Sequence, residues 1–122
     1  MIMEIQNHLN GHPWQDSILY LESVDSTNTY AKQLARNGAP EGTVVIAEHQ
    51  TGGRGRLGRS FSSPTGMGIY MSVILRPDAL PEEIMHLTCA AGLFACLAVE
   101  DCVPTLLPPR IKWANDLLLG DR

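Results

Sequence analysis

From Gln50 to Gly68 the chain holds six glycines, Pro64 and three serines. Glycine gives up the most backbone entropy on folding and proline withholds a donor, so such a stretch predicts no regular element. Any fold must therefore be assembled from the apolar segments on either side of it. Before it, Ile18–Glu22 (ILYLE) has the composition of a strand, and Asp25 or Ser26 can cap a following helix. Ala31, Leu34 and Ala35 would form that helix's apolar face, and Gly38 with Pro40 would end it. Thr43–Glu48 (TVVIAE) is β-branched and predicts a buried strand. Beyond the glycines, Ile69–Leu75 predicts another buried strand, closed by Pro77. Pro81, Glu82 and Glu83 suit the first turn of a long helix. Its body, Ile84 to Val99, is apolar nearly all round, which predicts burial against a sheet. Pro104, Pro108 and Pro109 mark the next connection, followed by a strand at Arg110–Trp113, a kink at Asn115-Asp116 and a strand at Leu117–Leu119. The order β-α-β-loop-β-α-β-β indicates an α+β or mixed α/β domain.

Composition narrows the class. The chain has 122 residues, 44% apolar and 18% charged, which is one domain's worth. No apolar run reaches the ~18–20 residues that a membrane span needs, which rules out an integral membrane protein. Residues 1–13 are polar, with two histidines and without the apolar core of a secretory signal. The expectation is a globular, cytoplasmic domain without membrane contact. The net charge of −4 argues against a surface that grips DNA or RNA throughout. Against that acidic background, three of the seven arginines (Arg54, Arg56 and Arg59) lie within six residues. Such a cationic knot suggests one small anionic ligand. Cys89, Cys96 and Cys102 are odd in number and lack CxxC spacing, so they read as small apolar residues in a reducing compartment.

The knot meets two phosphate-binding patterns on paper. Gly53, Gly55 and Gly58 spell GxGxxG, and Gly53 to Ser60 has P-loop spacing with Arg59 in the lysine's place. Both patterns deliver phosphate to a helix N-terminus. Here Phe61-Ser62-Ser63-Pro64-Thr65-Gly66-Met67-Gly68 follows and cannot open a helix. Nor does an acid stand ~20 residues on, at the end of a second strand, to hold a ribose. Both readings fail. The loop chemistry still suits an anion: glycines allow close backbone approach, and arginines offer forked donors to carboxylate or phosphate. A solvated loop or an RNA contact uses the same residues. Like-charge repulsion predicts that residues 50–66 are mobile when empty and become ordered on an anion.

Four segments taken together are more specific. Ser26-Thr27-Asn28 stands at a helix start, and Gln50-x-x-Gly53-Arg54-Gly55-Arg56-x-Gly58-Arg59 follows. Ser63-Pro64-x-Gly66 and Lys112-Trp113-x-Asn115-Asp116 come after it. Their order and spacing resemble the catalytic domain of biotin–protein ligases (biotin–[acetyl-CoA-carboxylase] ligases), from about Ile18 onward. The resemblance implies an α+β fold related to class II aminoacyl-tRNA synthetases, a mixed β-sheet flanked by helices. It also implies an activity: biotinyl-5′-AMP made from biotin and ATP with Mg²⁺, then transfer of biotin to a lysine of biotin carboxyl carrier protein.

Carried over by position, Ser26, Thr27, Asn28 and Gln50 would line a biotin pocket. Arg54, Gly55 and Arg56 would sit over the biotin carboxylate and the α-phosphate, and Arg59 would fold the loop over the adenylate. Lys112, Asn115 and Asp116 would face ATP phosphates, with Asp116 as the Mg²⁺ partner; Arg54, Arg56 and Lys112 would be catalytic. These residue types fit the chemistry, since two anions forced together need cations and Mg²⁺ takes hard oxygen ligands. Bland roles exist beside these: Ser26 also suits a helix N-cap, Trp113 a core position and Lys112 a solvated strand. Phe61 stands where the family usually has Trp and offers an adenine less surface to stack on. The resemblance further implies that 1–122 is a partial catalytic domain. By that reading no winged-helix DNA-binding domain is present. A strand with an essential lysine, the rest of the sheet and a small SH3-like barrel would follow Arg122. Leu117–Leu119 would then be an open sheet edge able to form a homodimer. Alternatives are a lipoate–protein ligase-like enzyme, a non-catalytic biotin-binding module and a small RNA-binding domain.

Overall fold

The computed structural model describes residues 2–104, 107–112 and 116–120. They form two compact units that divide between Arg76 and Pro77.

The first unit contains a short helix α1 (Ile2–His8), strand β1 (Ile18–Val24), helix α2 (Thr27–Arg36), strand β2 (Val44–Gln50) and strand β3 (Tyr70–Val73). The sheet order is β1-β2-β3. β1 runs parallel to β2 in the register Ile18↔Val44 through Val24↔Gln50, and α2 is the crossover that parallel pairing requires. β3 is antiparallel to β2, with Val44 opposite Val73 and Ala47 opposite Tyr70. The sheet is mixed, as the resemblance implies, and the class is α+β, one of the two that the element order allows.

A few side chains hold this unit together. Val45 is fully buried on the central strand and packs with Ala31 of α2 and Ile74 just beyond β3. Leu21, Tyr30, Leu34, Ala35 and Ala39 close around them, so the expected apolar face of α2 is the one that packs. Ser26 caps the helix as its Oγ accepts from the Thr29 N–H at 3.4 Å. At the other end, Arg76 donates from Nη2 to the carbonyls of Ala35 (2.8 Å) and Ala39 (2.6 Å). A cation on these carbonyls at the end of α2 and just past it opposes the negative end of the helix macrodipole and ties the exit of β3 to α2.

Two strand ends exceed the sequence reading: β1 continues to Val24 and β2 to Gln50. The helix α1 falls outside the sequence reading, which takes residues 1–13 as polar; it does carry Ile2, Met3 and Ile5, but none of its residues is buried.

On β1 the Tyr20 hydroxyl donates to the Glu48 carboxylate of the neighbouring strand. That bond, then desolvation, then the charges of Glu48 and Glu22 push the phenol up to about 12 from its usual 10. A phenol raised in the folded state stabilises fully below its unfolded value and loses that contribution as pH climbs through the folded one. Between pH 10 and 12 wild-type stability is therefore expected to fall more steeply than that of Tyr20→Phe. Denaturant melts of both proteins across that range check this, and parallel pH profiles would refute it.

In the second unit a 3₁₀ turn at Pro81–Glu83 leads into helix α3 (Ile84–Cys102), followed by strands β4 (Arg110–Lys112) and β5 (Asp116–Leu118). Glu83 reaches back to accept the Leu80 N–H at 2.8 Å, satisfying one orphan donor of the helix start. β4 and β5 form an antiparallel pair that sets Lys112 opposite Asp116 and Arg110 opposite Leu118.

Three expectations change here. Asp116 opens a strand instead of sitting in a kink, since it pairs directly with Lys112. Leu117 and Leu118 are paired to β4, so β5 has a partner on one edge, and Leu119 falls outside the strand. Finally, α3 has no buried residue: Phe94 is 66% exposed, Met85 57% and Leu97 50%. The expectation that no segment is long and apolar enough for a membrane span also fails, because the helical stretch Pro81–Cys102 meets that measure by length and composition. The scattered polar residues that interrupt the apolar run in sequence, such as His86 and Thr88, are too few to lower it. Helices apolar all round are core helices or membrane spans, so this property alone assigns neither.

Candidate functional site

The glycine-rich segment is not without structure. Its two arms pair as an irregular antiparallel ladder: the Gln50 N–H donates to Ser63 O (3.2 Å), Phe61 N–H to Gly53 O (2.8 Å) and Gly55 N–H to Arg59 O (2.7 Å). Isolated bridges join Gln50 to Ser63 and Arg54 to Ser60. A 3₁₀ turn at Arg56–Gly58 closes the tip. The prediction of no element over 50–68 is corrected to this extent. Main-chain pairing among Gly, Arg and Ser leaves no apolar periodicity for sequence reading to detect.

The ladder grows from the end of β2, where its outgoing arm joins the entrance to α2. Thr51 N–H donates to Val24 O at 2.9 Å and Gly52 N–H to Asp25 O at 2.7 Å. On the return arm the Tyr70 hydroxyl donates to Pro64 O at 2.9 Å. Arg54, Arg56 and Arg59 thus project from a hairpin anchored at its base beside the N-terminus of α2, and all three are exposed. Forked donors, backbone N–H groups and the positive end of a helix dipole share one end of the sheet, an arrangement suited to an anion.

The tip carries strain. Leu57 has φ 58° and ψ 34°, the left-handed region, and is 93% exposed, so packing does not repay it. An L-residue there costs roughly 1–2 kcal/mol. Asn tolerates this region better, so Leu57→Asn is expected to stabilise the protein by about 1 kcal/mol in denaturant melts. Unchanged or lowered stability would show that the tip does not hold this conformation in solution.

At the base, Ser26, Thr27 and Gln50 come together. Ser26 is buried, with its hydroxyl at the helix cap and its N–H donating to Asp25 Oδ1 at 2.7 Å. The N-cap role open to Ser26 is the one it fills here. Thr27 N–H donates to Gln50 Oε1 at 2.8 Å, and Thr27 Oγ1 lies 3.0 Å from Ser72 Oγ. Gln50 Nε2 donates to Ser63 Oγ at 3.0 Å, and Ser63 Oγ donates to Phe61 O at 3.3 Å. Asn28 and Phe61 are exposed. Ser63 enters the sequence reading only within the Ser63-Pro64-x-Gly66 segment, with no role of its own, and Ser72 not at all, since a serine's role shows only once its partner is known.

Lys112 and Asp116 lie in the second unit, exposed and directly opposite each other. Asn115 and Trp113 are outside the described residues. Among the described residues no group of three or more His, Cys, Asp or Glu side chains could hold a metal by itself. A single carboxylate at Asp116 still fits Mg²⁺, which is commonly held through one or two carboxylates together with substrate phosphates.

Residues 20–122 match the model of an enzyme family, the Biotin/lipoate A/B protein ligase family. The chain belongs to that family. It is 38% identical over 119 residues to the bifunctional ligase/repressor BirA of Bacillus spizizenii, covering 98% of this chain and 36% of that protein. To the biotin–[acetyl-CoA-carboxylase] ligase of Mycobacterium tuberculosis it is 42% identical over 100 residues, covering 76% and 36%. A biotin protein ligase of Aquifex aeolicus, solved with biotin and ATP, superposes with a TM-score of 0.73 at 34% identity, covering 87% of this chain and 43% of that one. A Leishmania major biotin protein ligase in complex with biotinyl-5-AMP gives 0.71 at 28% identity, with 84% and 47% covered. The chain thus spans less than half the length of these relatives.

Proposed function

We propose that this chain carries the biotin- and adenylate-binding part of a biotin–protein ligase. The enzyme would activate biotin with ATP to biotinyl-5′-AMP and pass it to a lysine of a biotin carboxyl carrier protein in the cytoplasm. The observation that carries the reading is the hairpin: it sets Arg54, Gly55 and Arg56 at the same end of the sheet as Ser26, Thr27 and Gln50. Relatives of this chain are named as biotin ligases, two of them solved with biotin and ATP or with biotinyl-5-AMP.

In this reading Gln50 and the Ser26-Thr27-Asn28 turn meet the polar ring of biotin. Arg54 and Arg56 hold its carboxylate against the α-phosphate, where attack forms the acyl–phosphate bond and releases pyrophosphate. Two anions brought together repel strongly, and fixed cations at that point lower the barrier. Arg59 and the exposed Phe61 cover the adenylate, the ring stacking on adenine. By resemblance alone, Lys112, Asn115 and Asp116 belong to the ATP-binding set, and Asp116 would supply a carboxylate to Mg²⁺, which neutralises phosphate charge when bound.

Calorimetric titration with biotin and with lipoate tests the reading. Saturable heat with biotin and none with lipoate is expected. Lipoate binding in place of biotin would move the chain to the lipoate side of its family, and steep salt-dependent binding of a generic RNA would replace the reading altogether. Arg56→Gly refines the test. Losing a charged hydrogen bond costs roughly 1.5–3 kcal/mol, so the variant should lose about 10- to 150-fold in affinity for biotinyl-adenylate and much less for biotin. Equal losses for the two ligands would remove Arg56 from the phosphate.

A further inference from the structure

The Gln50 carboxamide is held in one orientation by groups that leave no ambiguity about its two ends. Its Oε1 faces a main-chain N–H, that of Thr27, which can only donate. Its Nε2 faces Ser63 Oγ, whose own proton goes to the Phe61 carbonyl. A flipped amide would set Nε2 against the Thr27 N–H, donor against donor, and Ser63 would have to turn its hydroxyl from the Phe61 carbonyl to Oε1. Ser63 is only 3% exposed, so each of these mismatches would be costly to leave unmade. The chain Nε2–H to Oγ–H to C=O also ties that orientation to the hairpin, because Ser63 pairs with Gln50 through the main chain as well.

We propose that Ser63 is a positioning residue: it fixes which end of the Gln50 carboxamide faces the ligand and couples that orientation to closure of the arginine hairpin. The proposal rests on Gln50 lying in the biotin pocket only for its effect on affinity. The effect on Gln50 itself stands independently. A ligand that offers both N–H and C=O groups along one edge distinguishes the two ends of an amide, and a carboxamide free to rotate would present the right one only part of the time. Ser63 touches no reacting atom in this scheme and acts through Gln50.

The test uses the 122-residue chain with its glutamine side chains labelled with ¹⁵N. Ser63→Ala removes one oxygen from a small side chain and should fold; an unchanged backbone amide spectrum away from residues 50–63 verifies this. In Ser63→Ala the Gln50 side-chain NH₂ pair should shift and exchange with solvent at least tenfold faster, while Ser63→Thr, which keeps the hydroxyl, should restore the wild-type signature. Biotin affinity should fall about tenfold in Ser63→Ala and return to within about twofold in Ser63→Thr. In a Gln50→Ala background the Ser63→Ala substitution should change affinity no further, because a residue that acts through Gln50 has nothing left to act on. If the Gln50 NH₂ signals are indifferent to Ser63→Ala, the proposal is wrong. It is equally wrong if Ser63→Ala weakens biotin as much without Gln50 as with it. If the wild-type chain binds no biotin yet the Gln50 signals respond as described, the orientation role holds and the biotin reading fails instead.

Discussion

Gly53→Ala is expected to cost roughly 1–3 kcal/mol of stability, the range for forcing extra volume into a packed site, and to break the contact between Gln50 and Ser63. Gly53 is buried, and a Cβ at this position would lie 2.5 Å from the Phe61 carbonyl oxygen, 2.6 Å from Ser63 Oγ and 3.2 Å from Gln50 Nε2. The carbonyl is backbone and cannot swing aside. It belongs to the residue whose N–H donates to Gly53 O at 2.8 Å, so relieving the clash means opening the ladder. The requirement for glycine is therefore space, not dihedral angle. Gly58 provides the contrast. It has φ +73° with nothing within 4 Å of an added Cβ. Gly58→Ala should lose only the roughly 1–2 kcal/mol of a left-handed L-residue and leave the base of the hairpin intact. Denaturant melts with calorimetry on both variants separate the two cases. Gly53→Ala should lose biotin binding, and Gly58→Ala should keep it. Equal behaviour of the two would mean that the ladder does not close over Gly53.

This contrast shows which parts of the site the sequence could reveal. That glycines permit close approach was legible in the composition of 50–68, but which glycine is approached, and by what, depends on Phe61 and Ser63 returning across the hairpin. Such pairing among small polar residues leaves no trace in periodicity. The apolar skeleton was far more legible. Val45, Ala31 and Leu34 sit on strand and helix segments whose patterns name them as core, and Ser26 and Gly38 punctuate α2 where capping chemistry places them. The helix α1 escaped because nothing in it is buried, and β5 was misjudged because the pairing of Asp116 with Lys112 is a tertiary fact carried by two charged residues. The grouping of Ser26, Thr27 and Gln50 could be anticipated only by resemblance. Physically it follows from parallel pairing of β1 and β2, which sets Val24 opposite Gln50 and so brings the start of α2 to the end of β2. The burial assigned to α3 failed for a related reason: apolarity states that a helix needs cover and does not say what supplies it.

That last point leads to an expectation about the chain in solution. Ile84, Met85, Leu93, Phe94 and Leu97 of α3 are 47%, 57%, 49%, 66% and 50% exposed, and large apolar side chains left open in such number mark association surfaces or aggregation liabilities. Full burial of such a side chain contributes ~1.5–3 kcal/mol, so covering half of each recovers about 1 kcal/mol, or roughly 10 kcal/mol over two copies. Association costs on the order of 4–15 kcal/mol in lost freedom. Gain and cost fall in the same range, which predicts weak, reversible, concentration-dependent self-association of the 122-residue chain in place of a fixed dimer. Sedimentation across tens of micromolar to millimolar protein should show the mean mass climbing steadily. Phe94→Glu should suppress the climb without loss of secondary structure, because that side chain is the most exposed of the five. Since α3 is also long and apolar enough to cross a bilayer, neutral lipid vesicles belong in the same series. Vesicle binding that depletes the oligomers would show a helix that prefers hydrocarbon to its own kind. A chain that remains monomeric throughout and ignores vesicles would mean that α3 finds its cover within the molecule, and the exposure of Phe94 and Met85 would have to be revised.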